Sequence, residues 1–332
     1  MCVAGLSTLA FFSLRSSSSS PTVGKSGSAI LSMQKELNKS SKNDWKPFSF
    51  HREKVMDLVQ EASNKTTVNG NDQKPIAIFF GAGNCNDLNL SHLIREFHSI
   101  ALVDIDDEAT RDAVERQLED HGEGKENIIV IPSMDLTNVI GVTQSWKHDY
   151  NKSPPQGLIE EALHAVNKQL PKDWMQRLGA SESRKYDVAV SLCLLSQFAD
   201  SLAIVLDERS HLTELALLVV SVRRRHFSQV IEALRPGGYG IMIIDMVSSD
   251  TLPELVSSGN TEIESLADQA EQTGNFFHGT RRMAVVQSLQ SDFGNIVDNL
   301  QIGKPWKWNL GTEREYIVYS VVFRKKHSGH MQ

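Results

Sequence analysis

Residues 76–106 read IAIFFGAGNCNDLNLSHLIREFHSIALVDID, and this stretch decides the fold. An apolar run rich in β-branched and aromatic residues ends in Gly-Ala-Gly, a helix-compatible segment follows, and a second apolar run ends in two acids. The pattern predicts a strand, a tight glycine turn, a helix and a second strand, which together open a nucleotide-binding α/β sheet. Gly81 and Gly83 would let the backbone approach a ligand closely, and Asp104 stands where a strand-tip carboxylate can accept both hydroxyls of a ribose.

The loop after the first strand departs from the dinucleotide fingerprint G-x-G-x-x-G. Asn86 stands where the third glycine would be, and the polar run Asn84 to Asp87 replaces the small residues that admit a pyrophosphate. The loop therefore favours a cofactor that has no phosphate.

Two later landmarks support the same interpretation. Residues 186–192 predict another strand, and the run L-R-P-G-G at 234–238 separates a long helical pattern from an apolar strand, Tyr239 to Asp245. This order resembles class I S-adenosylmethionine-dependent methyltransferases over roughly residues 74 to 325, and in particular a subgroup with a GAGNCNDL-type loop. The resemblance implies S-adenosyl-L-methionine as the cofactor. It also implies an α/β, doubly wound, mixed seven-stranded sheet (the Rossmann-like methyltransferase fold) with a helical insertion between strands 3 and 4.

The resemblance also assigns a cofactor site. Asp104 corresponds to the ribose acid and Asp135 to the acid near the adenine. The implied cofactor-binding residues are Gly81, Ala82, Gly83, Asn84, Asp104, Ile105, Asp135, Leu136, Ser191 and Leu192. The sequence departs from the family pattern at two positions. Phe79 stands where many members have an acid, two residues before the first glycine, and Cys85 stands where they have a small loop residue. The individual contacts of the loop therefore remain open.

Methyl transfer from a sulfonium is an in-line displacement, so the position of the acceptor matters more than any one catalytic group. In the family the acceptor meets the methyl group above the tip of the fourth strand, which here reads SLCLLSQ and contains no carboxylate. This disfavours amide and nucleobase substrates and predicts a small molecule held by Cys193, Ser196 and Gln197. His278 is the preferred general base, and His51 and His211 are the other candidates.

Two rival functions remain open at this stage. An aminopropyltransferase shares the fold but normally has a carboxylate-rich tip on the fourth strand, which SLCLLSQ lacks. A catalytically inactive cofactor-binding protein with a protein partner is the other rival, because the Phe79 departure weakens the loop assignment.

The composition limits the class of protein further. The net charge of −7 argues against a general nucleic-acid surface, which requires a basic face. The three cysteines fit neither a disulfide framework nor a metal site. There is no apolar run long enough for a membrane span. The oligomeric state and the accepting atom (O, N, S or C) are not determined.

The first 35 residues contain no acid, three basic residues and ten serines, a composition typical of an organellar transit peptide. Residues 1–43 are therefore predicted to be a leader and linker that direct the protein to a plastid or mitochondrion. The alternatives are a weak signal peptide around residues 9–12 and a disordered terminus without an address, as in a cytoplasmic protein. Removing residues 1–35 should then leave the fold and the cofactor affinity intact.

Residues 44–327 are assigned to the methyltransferase domain and residues 328–332 to a disordered tail. The insertion at 141–184 is predicted to be a lid, together with the aromatic lead-in Trp45 to His51 and the segment Phe276 to Arg282. Residues 261–301 are predicted to be helical with a break near Gly274, and residues 305–309 are predicted to pair with a final strand at 315–325.

Overall fold

The computed structural model describes residues 29–67, 73–119, 124–143, 156–181, 184–205, 212–310 and 314–327. Along these ranges the helices are α1 Ala29–Ser41, α2 Ser49–Thr67, α3 Leu90–Glu96, α4 Asp107–Gln117, α5 Ile140–Thr143, α6 Gln156–Val166, α7 Trp174–Arg177, α8 Leu194–Val205, α9 Leu212–Ala233, α10 Glu254–Ser257, α11 Ile263–Thr273 and α12 Arg282–Phe293. The strands are β1 Ile76–Phe80, β2 Ser99–Val103, β3 Ile128–Ile131, β4 Tyr186–Leu192, β5 Leu234–Ser248, β6 Val297–Ile302, β7 Trp306–Asn309 and β8 Glu315–Lys325.

The described strands form a sheet in the order β3-β2-β1-β4-β5-β8-β6, with β7 also paired to β8. Strands β1 to β5 run parallel, and β8 runs antiparallel to β5. The chain therefore starts in the middle of the sheet, winds outward to β3, and then returns past β1 to build the other half. Ligands of such sheets bind at the carboxyl ends of the strands where the winding reverses, which here is between β1 and β4.

Two short strands share one edge of β8. Strand β6 pairs with its C-terminal half and β7 with its N-terminal half, so the two together fill one position and the sheet is seven positions wide. The predicted pairing of residues 305–309 with the final strand is confirmed. The helical prediction is wrong for residues 297–301, which belong to β6. Pairing to β8 and the ion pair from Asp298 to Arg324, at 2.9 Å, hold this polar segment as an edge strand.

Helices cover both faces of the sheet, as the continuous apolar strands require. All five residues of β1 are buried, and its alternate side chains contribute to two different apolar clusters. Helices α2, α3 and α4 pack on one face, and α9, α11 and α12 pack on the other.

Part of the predicted linker is a helix. Residues 29–41 form α1, and Ile30 is buried in an apolar cluster with Val139, Ile140 and Leu202. The expectation that residues 1–35 can be removed without effect is therefore revised, because such a cut removes half of α1. Residues 1–28 and 328–332 lie outside the described residues, and the targeting prediction stays a prediction.

The insertion between β3 and β4 places its second helix away from the predicted lid. Residues 144–155, with Trp146 and Tyr150, lie outside the described residues. Helix α6 packs with α5 and α9. Helix α7 places Trp174 in the core near Tyr186, the first residue of β4, whose hydroxyl donates to the Leu178 carbonyl. The prediction that Trp174 joins a lid is wrong, because the chain must return to the amino end of the sheet before another parallel strand can begin.

Candidate functional site

The loop after β1 turns sharply at two glycines. Gly81 has φ +80° and Gly83 has φ +44°, within the left-handed region that favours glycine. A Cβ at Gly81 would lie 2.8 Å from both the Leu192 carbonyl oxygen and Leu194 Cγ. The Gly81 N–H donates to the Val103 carbonyl at 2.8 Å. Glycine at this position therefore lets the loop pass between the tips of β2 and β4.

The Asp104 carboxylate lies beside this loop at the tip of β2. One of its oxygens accepts the Gly83 N–H at 2.8 Å and the other accepts the Asp106 N–H at 2.9 Å. A carboxylate has about four acceptor positions, so these two bonds leave acceptor capacity for a ligand. Burial raises the pKa of Asp104 to about 6. Asp106 caps helix α4 by accepting the Ala109 N–H, so Asp104 is the acid that faces the glycine loop.

The last turn of α1 covers the glycine loop. Asn38 donates to the Asp106 carboxylate at 3.2 Å, and its amide oxygen lies 3.0 Å from where a Cβ of Gly83 would be. The Asn84 amide in turn donates to the Asn38 carbonyl and to the Ser41 hydroxyl. Asn84, predicted to bind the cofactor, is therefore a residue that ties the loop to α1.

Detaching α1 should weaken ligand binding at the loop. Replacing Ile30 with serine removes the apolar anchor of the helix, which we expect to lower the affinity for S-adenosyl-L-homocysteine about tenfold, because burial of such a side chain contributes about 1.5 to 3 kcal/mol. Isothermal titration calorimetry measures this change. Leu37, on the same helix, is 51% exposed, so Leu37→Ser should leave the affinity unchanged. Equal affinities in the two variants would show that α1 is not part of the site.

The Asp135 side chain is used within its own loop. One oxygen accepts the N–H groups of Thr137 and Asn138 and the Thr137 hydroxyl, and the other accepts the Ile140 N–H at 2.9 Å. These bonds cap the start of α5 and fix the loop after β3. Leu136 beside it is buried. A contact from Asp135 to an adenine stays a prediction.

The remaining predicted cofactor residues lie at or near the strand tips. The Ser191 hydroxyl is 2.7 Å from His226 Nε2 on α9, so its hydrogen bond goes to a helix that packs on the sheet. Burial lowers the pKa of His226 to about 4, and this ring is therefore neutral. Ala82 and Leu192 are buried and Ile105 is half-buried.

A buried carboxylate that the sequence analysis missed lies next to the tip of β4. Asp245 on β5 is 6% exposed, and the Ser196 hydroxyl lies 2.6 and 2.7 Å from its two oxygens. The backbone of Asp245 lies beside the Cys193 side chain. Burial raises the pKa of Asp245 to about 7, and the negative charges of Asp200 and Asp87 add to the increase. The sequence does show this acid at the end of the apolar run IMIID, but the run was interpreted only as a strand.

Two of the predicted substrate residues therefore meet at Asp245. Ser196 donates to its carboxylate, and Cys193 is buried against its backbone. Burial raises the pKa of the Cys193 thiol, so the thiol is protonated near neutral pH. Gln197 is half-buried in the first turn of α8.

His51, one of the candidate bases, lies on the same side of the sheet. It is 1% exposed, and its Nε2 lies 3.3 Å from Asp87 Oδ1 in the loop after β1. Its Nδ1 accepts the Trp306 indole N–H at 3.1 Å, so the ring nitrogen that carries a proton is Nε2, which faces Asp87. The ring stacks on Trp308 with centroids 4.4 Å apart. These contacts fix both the orientation and the tautomer of the imidazole.

The segment after α11 reaches the carboxyl end of β5. The Phe277 N–H donates to the Met246 carbonyl at 2.7 Å, and the Phe277 ring packs on Tyr316 with centroids 5.8 Å apart. Two of the three segments predicted to converge, the lead-in and this one, therefore do so. His278 is half-buried in this segment, and its role as a base stays a prediction, while His211 lies outside the described residues.

Comparison with known proteins gives structural neighbours only. No family model and no curated protein sequence matches the chain. Among solved structures, the N-methyltransferase NodS from Bradyrhizobium japonicum WM9 in complex with S-adenosyl-L-homocysteine has a TM-score of 0.45 and 10% identity, covering 89% of this chain and 99% of that chain. The CurJ carbon methyltransferase has a TM-score of 0.45 and 12% identity, covering 89% and 59%. CrArsM, an arsenic(III) S-adenosylmethionine methyltransferase from Chlamydomonas reinhardtii, has a TM-score of 0.37 and 12% identity, covering 83% and 73%.

Within the described ranges, no helix is both long and apolar enough to cross a membrane. In the same ranges, no three His, Cys, Asp or Glu side chains are grouped so that they could hold a metal ion. The described strand order, with β8 antiparallel between β5 and the edge, is the doubly wound, Rossmann-like sheet that the resemblance to class I S-adenosylmethionine-dependent methyltransferases predicts.

Proposed function

We propose that this protein is an S-adenosyl-L-methionine-dependent methyltransferase that acts on a small molecule. The observation that supports this best is the Asp104 carboxylate at the tip of β2, which accepts the Gly83 N–H and has acceptor capacity left for a ligand hydroxyl. It lies where the winding of the sheet reverses, the usual binding position in such folds.

The residues present fit a nucleoside better than a dinucleotide. Asp104 would hold the ribose, and the glycine turn would let the backbone approach the rest of the cofactor. The backbone N–H groups of Gly81, Ala82, Gly83 and Cys85 all donate within the protein, so these four groups are not free to hold a pyrophosphate. When bound, the cofactor would supply an electrophilic methyl group on a sulfonium.

The chain itself would supply position and a water-poor surface. Trp306, Trp308 and Tyr316 are buried on the side of the sheet where β4 and β5 end. A reaction in which a sulfonium becomes a neutral thioether is favoured where water is excluded. Holding the acceptor in line with the methyl group would then account for much of the rate.

The direct test is transfer of a labelled methyl group. The protein is incubated with S-adenosyl-L-methionine labelled in the methyl group and with a cell metabolite extract, and labelled products are separated and identified. We expect a labelled small molecule that is absent when Asp104→Asn replaces the wild type. Binding without any labelled product would favour an inactive cofactor-binding protein. Absence of both binding and transfer would contradict the proposal.

A further inference from the structure

The carboxylates near the tip of β4 have no assigned task in cofactor binding. Asp245 lies beside Cys193, and Asp87 raises the pKa of both Asp245 and Cys193. The tip of β4 has no carboxylate of its own. Asp245 of β5 and Asp87 of the loop after β1 supply negative charge there instead. The sheet order explains the meeting, because β4 lies between β1 and β5.

The negative charge of Asp245 has no salt-bridge partner within the described ranges. No Lys, Arg or His side chain of those ranges forms a salt bridge with Asp245, whose side-chain partner is the Ser196 hydroxyl. Asp87 has His51 beside it and the positive charge of Arg52 nearby. Although His51 Nε2 and Asp87 Oδ1 are 3.3 Å apart, neither atom makes a well-aligned hydrogen bond. A buried carboxylate without a salt-bridge partner, as Asp245 is, favours a cationic ligand.

A second observation points to a ligand at the same place. The indole N–H of Trp308 is buried and has no hydrogen-bond partner among the described residues. Trp308 stacks on His51 and packs on Tyr316 with ring centroids 5.6 Å apart. A buried donor without a partner is costly, and an oxygen atom of a bound substrate would satisfy it. Aromatic faces beside carboxylates also suit an ammonium group.

We propose that this cluster binds the methyl-accepting group as a protonated amine, that Asp87 backed by His51 holds its charge, and that Asp245 removes its proton. The substrate class is then a small amine that also has an oxygen acceptor for Trp308. This inference rests on the proposed methyl transfer and adds the accepting atom to it.

The proton and electron balance is simple. The ammonium nitrogen gives one proton to the Asp245 carboxylate, which leaves a neutral amine with a free lone pair. That lone pair forms the new N–C bond while the C–S bond of the sulfonium breaks and its electron pair stays on sulfur. The methylated amine leaves with one positive charge, and Asp245 returns its proton to water.

The surroundings of Asp245 suit a base that works near neutral pH. The groups that face it from neighbouring elements are His51, Asp87, Cys193, Asp200, Tyr316 and Tyr319. Burial and the negative charges of Asp87 and Asp200 raise the pKa of Asp245, and the hydrogen bond from Ser196 lowers it. Ser196 is thus a positioning residue that also adjusts the base.

Binding of simple probes tests the amine preference without turnover. Tryptophan fluorescence of the protein saturated with S-adenosyl-L-homocysteine is titrated with benzylamine and, separately, with benzyl alcohol. We expect the amine to bind at least tenfold more tightly, and Asp87→Asn or Asp245→Asn to remove this preference. Asp173→Asn, a half-exposed carboxylate on the far side of the sheet, should keep it. Equal binding of the two probes, or no amine binding up to its solubility limit, would overturn the proposal.

The reaction itself gives an independent check. The labelled product of the metabolite experiment should have its methyl group on nitrogen, and a methyl ester, ether or thioether would contradict the inference while leaving methyl transfer intact. In Ser196→Ala, loss of the hydroxyl raises the pKa of Asp245, so the acidic limb of the kcat/KM profile should move to higher pH. An unmoved limb would refute Asp245 as the base. If S-adenosyl-L-homocysteine does not bind at all, the proposed function fails first.

Discussion

Replacing Asp104 with asparagine should weaken binding of S-adenosyl-L-homocysteine by roughly two to four orders of magnitude. The variant loses the charge that strengthens two hydrogen bonds to the ribose, each contributing about 1.5 to 3 kcal/mol, and each factor of ten corresponds to about 1.4 kcal/mol. Isothermal titration calorimetry at pH 7.5 measures the change. Asp107→Asn is the matched control, because Asp107 lies three residues further along and bonds Ser133 and Arg111 instead.

The affinity of the wild type should also depend on pH. Burial raises the pKa of Asp104 to about 6, and the ionised carboxylate is the form that accepts ribose hydroxyls best. Affinity should therefore fall about tenfold for each unit below pH 6 and stay level above pH 7. Asp104→Asn should show no such slope. A flat wild-type profile, or full affinity in the variant, would remove Asp104 from the site.

Replacing Asp245 with asparagine should stabilise the protein at alkaline pH while it abolishes the proposed base. Burial raises the pKa of Asp245 to about 7, so the folded state binds this proton more tightly than the unfolded chain. The unfolding free energy then falls as the pH rises from about 4 to about 7, and above that range the full destabilisation by the ionised, buried Asp245 is present. One pKa unit corresponds to about 1.4 kcal/mol, so the gain at pH 8 should be on the order of 2 to 4 kcal/mol.

Urea unfolding of the wild type and the variant at pH 5 and pH 8 checks this prediction. The difference in unfolding free energy should be large at pH 8 and small at pH 5. Asp268→Asn provides the comparison, because the Asp268 side chain is 55% exposed on α11 and should show no such pH dependence. A variant that is less stable than the wild type at pH 8 would mean that Asp245 is ionised and well compensated in the fold.

Local patterns predicted the first half of the sheet because their physical causes are local. The run IAIFF is buried throughout, as a strand covered on both faces must be, and Gly81 and Gly83 have the positive φ angles of a tight turn. The helical prediction failed for residues 297–301 because the cause of their strand is not local. They form a strand because they pair with the edge of β8 and because Arg324 forms an ion pair with Asp298. Both partners lie outside the segment, so its own residues do not predict the pairing.

The sequence by itself determined the strand–turn–helix–strand unit at residues 76–106, the glycine loop and the acid at the tip of β2, because apolar periodicity and glycine conformation act over a few residues. Only the tertiary structure decided what surrounds that loop. It placed Asn38 over Gly83, His51 against Asp87, and Asp245 beside Ser196. The residues in each of these contacts are far apart in the sequence. They meet only because the folded sheet places β1, β4 and β5 side by side.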